Sequence, residues 1–365
     1  ATSFEGLNNC AEAEATYNRA LELIGENHVE YRSHLIVIFN NLGCMFLRNG
    51  EYAQAHTYLN KALTNLGQLV TEDKAFKAKV LSNLGHVFRE QGKLPDAYGC
   101  FKEALDLEME IGGVRPELAV CYNNMGMICN EQRNFDEALN YLKKARELDT
   151  QLYAEDHASV GVTLNNMALV YMGMEQYERA LELFHQVEKI LGKNFDENDP
   201  RFGQLFNNKG RAYTELDGVE KALVVFDRAL KNLIHNYGEK HHLVADVYSN
   251  MGAAYQKKMD YKDAYKCYLK ALNIRERLYG EDDLSVASEC MKAGNVLFLE
   301  EKPHLAIDFF LRAEKIKTKH LGIKHPDLIP IYTAIMRCYA QRGNLNGAAD
   351  YGKKIESFKK TEEGE

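Results

Sequence analysis

Apolar, small and polar residues return along this chain at a fixed interval, and the pattern predicts a repeat protein. A polar pair, usually two asparagines, precedes an apolar residue, a small residue and, three residues later, an aromatic residue, as in Asn165-Asn166-Met167-Ala168 with Tyr171. The small residue stands at positions 43, 85, 126, 168, 210, 252 and 294. The interval is 42 residues, once 41. A fixed period of this size is the signature of stacked structural units.

A second pattern downstream of each small residue predicts the other half of the unit. Ala97, Phe101 and Ala104 are spaced by four and three residues, which places them on one face of a helix. In the second repeat we expect a helix A from about 76 to 91 and a helix B from about 94 to 111. Small residues should let helix B approach its own helix A, while the large residue should fill the gap to the next repeat.

Turn-forming residues at the repeat boundaries agree with this division. Gly238 and Gly280 fit the left-handed position that ends a helix. Asp199, Asp283 and His325 stand where the first residue of the following helix A needs a capping side chain. We therefore expect helices to end and begin at these positions.

A two-helix unit with these offsets resembles the tetratricopeptide repeat (TPR), in the 42-residue form of kinesin light chains and nephrocystin-type proteins rather than the usual 34-residue form. The resemblance covers roughly residues 8–358. It implies an all-α, right-handed solenoid of about eight and a half helix-turn-helix repeats. We expect a partial N-terminal repeat (helix B only) at 1–34, eight tandem repeats forming one continuous solenoid at 35–358, and a charged tail at 359–365.

Composition narrows the function. The formal net charge of −8 argues against nucleic acid as the main ligand, since phosphate binding requires an excess of basic residues. No apolar run approaches the roughly 18 residues that span a bilayer, so we expect no membrane insertion. The eight cysteines are scattered and form no CxxC pair, which indicates buried free thiols in a reducing cytosol and a cytoplasmic location.

No catalytic motif is found in the sequence. It has no glycine-rich phosphate loop, no GxSxG and no HExxH, and we predict no enzyme, no cofactor and no metal site. The pair His241-His242 is the main candidate for metal binding. We favour a solvated loop pair there.

The polar pairs are the candidate binding site. In the family that the chain resembles, helices A line the concave inner wall, which places these residues in two rows. The first row is Asn41, Asn83, Asn124, Asn166, Asn208 and Asn250, and the second row is Asn40, Ser82, Asn123, Asn165, Asn207 and Ser249. An asparagine side chain offers a donor and an acceptor, which is the pair needed to grip the backbone amide of an extended peptide.

Residues further along helix A would set the ligand preference: His86, Arg89, Met127, Arg211 and Lys257. The alternative is that the asparagines bond to a neighbouring helix and fix the repeat geometry. Two observations favour a ligand: asparagine is unfavourable inside a helix yet doubled at four positions, and the first row changes to Lys292 and Ala334 while the packing residues continue. We expect the ligand to cover about residues 40–257.

The sequence thus predicts a non-enzymatic adaptor or scaffold that holds an extended or partly helical segment of another protein in a concave groove. Two alternatives stay open at this point. One is a structural spacer of a ciliary or cytoskeletal assembly that uses its convex surface or its ends. The other is a peptide-sensing regulatory module.

Overall fold

The structure, a computed structural model, describes residues 15–17, 19–23, 31–69, 71 and 73–362. Throughout these ranges the regular secondary structure is helical, without a β-strand. Residues 15–17 and 19–23 are helical, and the rest of the helix predicted within 1–34, up to residue 30, lies outside the described residues, as do 363–365. The chain divides into two compact units, residues 1–196 and 197–365. That residues 35–358 form one continuous solenoid stays a prediction.

Within the described residues from 31 onward, each unit contains four helical hairpins. The helices of the first unit are α1 (Arg32–Arg48), α2 (Tyr52–Leu66), α3 (Lys74–Glu90), α4 (Leu94–Ile111), α5 (Pro116–Glu131), α6 (Phe135–Leu152), α7 (Ala158–Gly173) and α8 (Tyr177–Asn194). Those of the second unit are α9 (Pro200–Glu215), α10 (Val219–Tyr237), α11 (His242–Lys257), α12 (Tyr261–Tyr279), α13 (Leu284–Leu299), α14 (Pro303–Leu321), α15 (Ile329–Gln341, after a 3-10 turn at Pro326–Leu328) and α16 (Leu345–Glu362).

Odd-numbered helices are the predicted helices A and even-numbered helices the predicted helices B. Each helix A packs on the helix B that follows it, and each helix B packs on the next helix A of the same unit. The predicted helix B of the second repeat has the bounds of α4, and the predicted helix A differs from α3 by two residues at its start and one at its end. The all-α repeat fold is therefore confirmed.

The large residue of helix B lies in one core cluster with residues of the next repeat, as Phe101 does with Met125, and it also packs against its own helix A. A Cβ atom added to Gly85 on α3 would stand 2.6 Å from the ring of Phe101 on α4, in the same hairpin. Gly210 and Gly294 face the rings of Phe226 and Phe310 in the same way. The aromatic ring thus occupies the space that the missing side chain of its own helix A leaves. A Cβ atom added to these glycines would come closer to the ring than a normal contact, so the position requires a small residue.

The turn between helix A and helix B needs a residue in the left-handed region in every hairpin. Glycine fills this position at 50, 92 and 343. In the other five turns an L-residue with φ between 57° and 64° stands there: Arg133, Glu175, Asp217, Met259 and Glu301. Such a conformation costs an L-residue about 1 kcal/mol relative to glycine. Five turns therefore carry a small backbone strain.

The predicted boundaries between repeats are confirmed, with one correction. Asp199 and Asp283 accept the backbone N–H of the second residue beyond them at 3.0 and 2.8 Å, as capping residues do. His325 does so through Nδ1 at 3.3 Å. Gly238 and Gly280 have positive φ, but their ψ values of 173° and 165° are extended rather than left-handed helical. This combination is essentially restricted to glycine, and helix B ends there with an extended residue.

Candidate functional site

The first-row asparagines connect successive helices A. The Nδ2 atom of Asn83 on α3 donates to the Oδ1 of Asn40 on α1 at 2.9 Å. The same bond joins Asn166 on α7 to Asn123 on α5, again at 2.9 Å. The first row therefore uses its amide donors for contacts between repeats.

The second unit repeats this bond with a change of residue. Asn250 on α11 donates to Asn207 on α9 at 2.9 Å. One repeat later Lys292 on α13 donates to the Oγ of Ser249 at 2.6 Å. The asparagines end at Asn250, but the inter-repeat bond continues. Lys292 therefore keeps the inter-repeat bond that asparagine makes in the earlier repeats. Its longer side chain reaches the shorter side chain of Ser249.

Asn124 is the exception within the first unit. Its Nδ2 atom is buried and has no hydrogen-bond partner. The residue that would accept from it by register is Ser82, which replaces an asparagine. A serine hydroxyl stands closer to its own backbone than a carboxamide oxygen, so the Asn–Ser pair leaves the donor unsatisfied.

A chain of hydrogen-bonded polar groups leads from the first-row residue Asn166 into the interior of the first unit. Besides accepting from Asn166, Asn123 donates to the Oγ1 of Thr163 at 2.9 Å. Thr163 in turn donates to the Oδ2 of Asp149 at 2.8 Å. Both Thr163 and Asp149 are buried, and burial raises the pKa of Asp149 while the bond from Thr163 opposes this. We call these four residues the neutral-donor cluster.

The second unit has an ionic cluster at the same register, three repeats later. Glu289 occupies the position of Thr163, and its side chain is 1% exposed. It accepts from Ser249 at 3.0 Å and from Lys292 at 3.0 Å. Arg275, at the position of Asp149, lies 3.3 Å from Glu289 and donates to Asp246 at 2.7 Å. We call these five residues the ionic cluster.

On each helix A the first-row residue and the residues four before and three after it lie on one side, and we call this stripe the ladder face. The first-row residues are half-buried. In the first unit Val120 and Val162, four residues before Asn124 and Asn166, are 54% and 55% exposed. Val37 is exposed at the equivalent place on α1. Our sequence reasoning missed these valines, although a β-branched apolar residue at one register of a polar helix face is a readable signal.

The remaining predicted site residues lie in different surroundings. His86 packs edge-on against Phe101 with the ring centroids 5.1 Å apart, and burial lowers its pKa to about 4. Arg89 is paired with Glu90 at 2.8 Å and approaches Glu131 at 3.7 Å. These two side chains are largely engaged within the protein.

Lys257 donates to the backbone oxygens of Thr214 and Glu215 at 2.8 and 3.0 Å and so caps the end of α9. Arg211 is exposed, and Met127 is half-buried. Asn41 donates to the hydroxyl of Tyr17 at 3.3 Å. Asn165 and Asn208 are half-buried on α7 and α9. Their role in ligand binding stays a prediction.

His241 and His242 do not gather further metal ligands, and no group of three or more potential ligands occurs within the described ranges. His241 instead caps α11, with its Nδ1 accepting the N–H of Leu243 at 3.3 Å, and its ring stacks on Tyr237 at 4.3 Å. Of the helices described, none is long and apolar enough to cross a membrane.

Comparisons with solved structures agree with this geometry. The Rap protein in its complex with competence and sporulation factor has 18% identity and a TM-score of 0.58, over 89% of this chain and 98% of that chain. BtubC (BKLC) from P. vanneervenii has 23% identity and a TM-score of 0.51, over 63% and 91%. Nearly identical TPR-like repeats from Podosopora anserina have 17% identity and a TM-score of 0.50, over 56% and 96%. These similarities show the fold.

Family comparison supplies the identification. No curated protein sequence gives a significant match. A pentatricopeptide-type repeat model (PPR repeat) matches residues 330–359. The tetratricopeptide repeat model matches residues 1–68, 76–151, 117–193 and 243–288, which together make up more than half of the chain. The chain therefore belongs to the tetratricopeptide repeat family, whose fold is a module for binding other proteins.

Proposed function

We propose that this protein is a non-enzymatic adaptor or scaffold that binds an extended or partly helical segment of a partner protein on the ladder face of its helices A. The family supports protein binding in general. The observation that carries the ladder face is the pair of exposed valines at one register of α5 and α7. Valine is unfavourable on a solvent-facing helix surface, and these two side chains are not needed for packing.

The inter-repeat bonds and the binding role are compatible. Asn166 uses one N–H group inside the protein, while its Oδ1 atom has no partner among the described residues. A residue that fixes the spacing of two repeats can thereby hold an acceptor in a defined position for a ligand. The amide row is therefore both part of the framework and part of the surface.

A photo-crosslinking experiment tests the proposed function. The photoreactive amino acid p-benzoylphenylalanine would replace Val162 on the ladder face or, as a matched control, Met109 on α4. Met109 is 54% exposed and lies on a helix B. After irradiation in a cell extract, we expect a defined partner to be attached at position 162 and not at position 109.

The partner should also disappear when Val120→Asp is added to the protein that carries the photoreactive residue at position 162, with unfolding by circular dichroism unchanged. Attachment at position 109 with none at 162 would contradict the proposal and favour a spacer that uses its convex surface. Attachment only to further copies of this chain would also contradict it, because it would indicate self-assembly.

A further inference from the structure

The first-row asparagines that bond to a neighbouring repeat are held in a fixed orientation. An isolated carboxamide offers two donors and an acceptor. Nδ2 of Asn166 uses one of its two N–H groups to donate to Asn123 at 2.9 Å, and the Oδ1 atom of Asn166 has no partner among the described residues. Asn250 is held in the same way by Asn207. Each such residue thus keeps its oxygen and one N–H group, and the inter-repeat bond fixes their direction for a ligand.

The surroundings of this acceptor in the first unit are uncharged. Val120 and Met127 stand four before and three after Asn124, and Val162 and Leu169 stand at the same places around Asn166. The two valines are mainly exposed, and Met127 and Leu169 are half-buried. Two consecutive helices A therefore present the same order, apolar–amide–apolar. A ligand carrying a charge here would lose hydration without gaining a counter-charge.

The second unit lacks this arrangement. Gln204 and Arg211 stand around Asn208, and Asp246 stands before Asn250. Asp246 is bound by Arg275 at 2.7 Å, and the side chain of Arg211 is exposed. These two helices A of the second unit therefore present polar and charged residues, so an apolar ligand would select α5 and α7.

We propose, building on the proposed function, that α5 and α7 bind an extended partner segment in which alternate side chains are apolar. The segment donates backbone N–H groups to the carboxamide oxygen of Asn166 and lays its apolar side chains against Val120 and Val162. An extended chain suits both demands, since its side chains alternate between two faces and its N–H groups point sideways. An acidic segment is disfavoured because a carboxylate placed between these valines and amides would lose hydration without meeting a counter-charge.

Synthetic peptides provide the test. One capped 12-residue peptide alternates valine and serine, two matched peptides carry aspartate or lysine in place of valine, and all end in the same two lysines for solubility. A fourth peptide is the valine peptide with alternate backbone nitrogens methylated, which removes their N–H donors. We expect the valine peptide to bind at least about tenfold more tightly than each of the other three by fluorescence anisotropy.

The protein variants locate the site. Val120→Ser combined with Val162→Ser should weaken binding of the valine peptide about tenfold, because the lost apolar contacts lie at exposed positions that the fold does not need. Met109→Ser is the matched control and should leave the affinity unchanged.

Three results would overturn the inference: equal binding of the aspartate or lysine peptide, no effect of N-methylation, or no binding by any peptide. If one of them occurs while Val162 still cross-links a partner that Met109 does not, the proposed function stands and only the ligand chemistry is wrong. Failure of that cross-link would instead remove the proposed function.

Discussion

The two buried polar clusters occupy the same place in their repeats but satisfy their groups in different ways. In the neutral-donor cluster, Asn123 donates to Thr163, and Thr163 donates to Asp149. In the ionic cluster, Glu289 is surrounded by Arg275, Lys292 and Ser249. The buried Glu289 is thus paired with two cations, whereas the buried Asp149 accepts a hydrogen bond from a neutral hydroxyl group.

The difference shows what an inter-repeat interface tolerates. A hydroxyl donor leaves the charge of Asp149 poorly compensated, and its pKa is raised accordingly. Cations compensate Glu289 well, but the cluster then depends on each of them, since a buried charge that loses its partner is strongly destabilising. We therefore expect the first unit to tolerate changes in its cluster better than the second.

The largest expected effect comes from Arg275→Met. The variant leaves Glu289 buried without its arginine and should lower the free energy of unfolding of the second unit by about 3 kcal/mol. Asp149→Asn in the first unit should change it by less than about 1 kcal/mol, because the amide oxygen still accepts from Thr163. Urea unfolding measures both. Equal losses would show that the two clusters do not differ in this respect.

Removing both partners provides the control. Arg275→Met combined with Glu289→Met should recover most of the loss, since replacing a whole buried pair by apolar residues is close to neutral. A double variant as unstable as Arg275→Met would assign the loss to packing around Arg275 rather than to the uncompensated charge.

Acid should lower the free energy of unfolding of the second unit through protonation of His241. Burial and the neighbouring His242 lower the pKa of His241 from 6.5 to about 4. The unfolded chain therefore binds a proton below pH 6.5 that the folded chain refuses, and stability falls as the pH drops from 6.5 towards 4. We expect a loss of roughly 1–2 kcal/mol between pH 7.5 and pH 5 from this group.

The variant His241→Asn isolates that contribution. Asparagine caps a helix and does not titrate, so the acid-dependent loss should shrink by the amount assigned to His241. His86 in the first unit, whose pKa is also lowered to about 4, should leave a residual dependence. Thermal unfolding followed across this pH range would contradict the assignment if the slope were the same in both proteins.

Substitutions in the turns between helix A and helix B should change the free energy of unfolding in opposite directions in the two units, by smaller amounts. Met259 is 75% exposed with φ of 62°, so Met259→Gly should stabilise the second unit by about 1 kcal/mol. Gly92 has φ of 73° in the first unit, and Gly92→Ala should destabilise it by a similar amount. Denaturant midpoints of the two variants should move in opposite directions. A shift of both in one direction would be inconsistent with strain in these turns.

The smallest expected gain is at Ser82→Asn. The longer side chain brings an acceptor towards the unpaired Nδ2 of Asn124 and should raise the free energy of unfolding by about 1 kcal/mol. Ser249→Asn is the comparison, because Ser249 already accepts from Lys292 and donates to Glu289 and should lose stability when changed. Two losses would show that the position of Ser82 cannot hold an asparagine.

By itself, the sequence determined the repeat. The small residue at 43, 85 and 126, the small–large–small triads and the capping residues fix helices and turns locally, because each depends on spacing within one hairpin. These features predicted the bounds of α4 and the caps at Asp199 and Asp283. The same regularity predicted the rows of asparagines.

Only the tertiary structure decided what the asparagines bond to. The bond from Asn166 to Asn123 joins residues 43 apart, and its geometry depends on how two hairpins stack. The same stacking leaves Asn124 without a partner and brings Glu289 within 3.3 Å of Arg275. A one-dimensional pattern gives the register of such residues, but the lengths of facing side chains decide which bonds form. Those distances therefore decide which N–H group of each amide bonds to the neighbouring repeat.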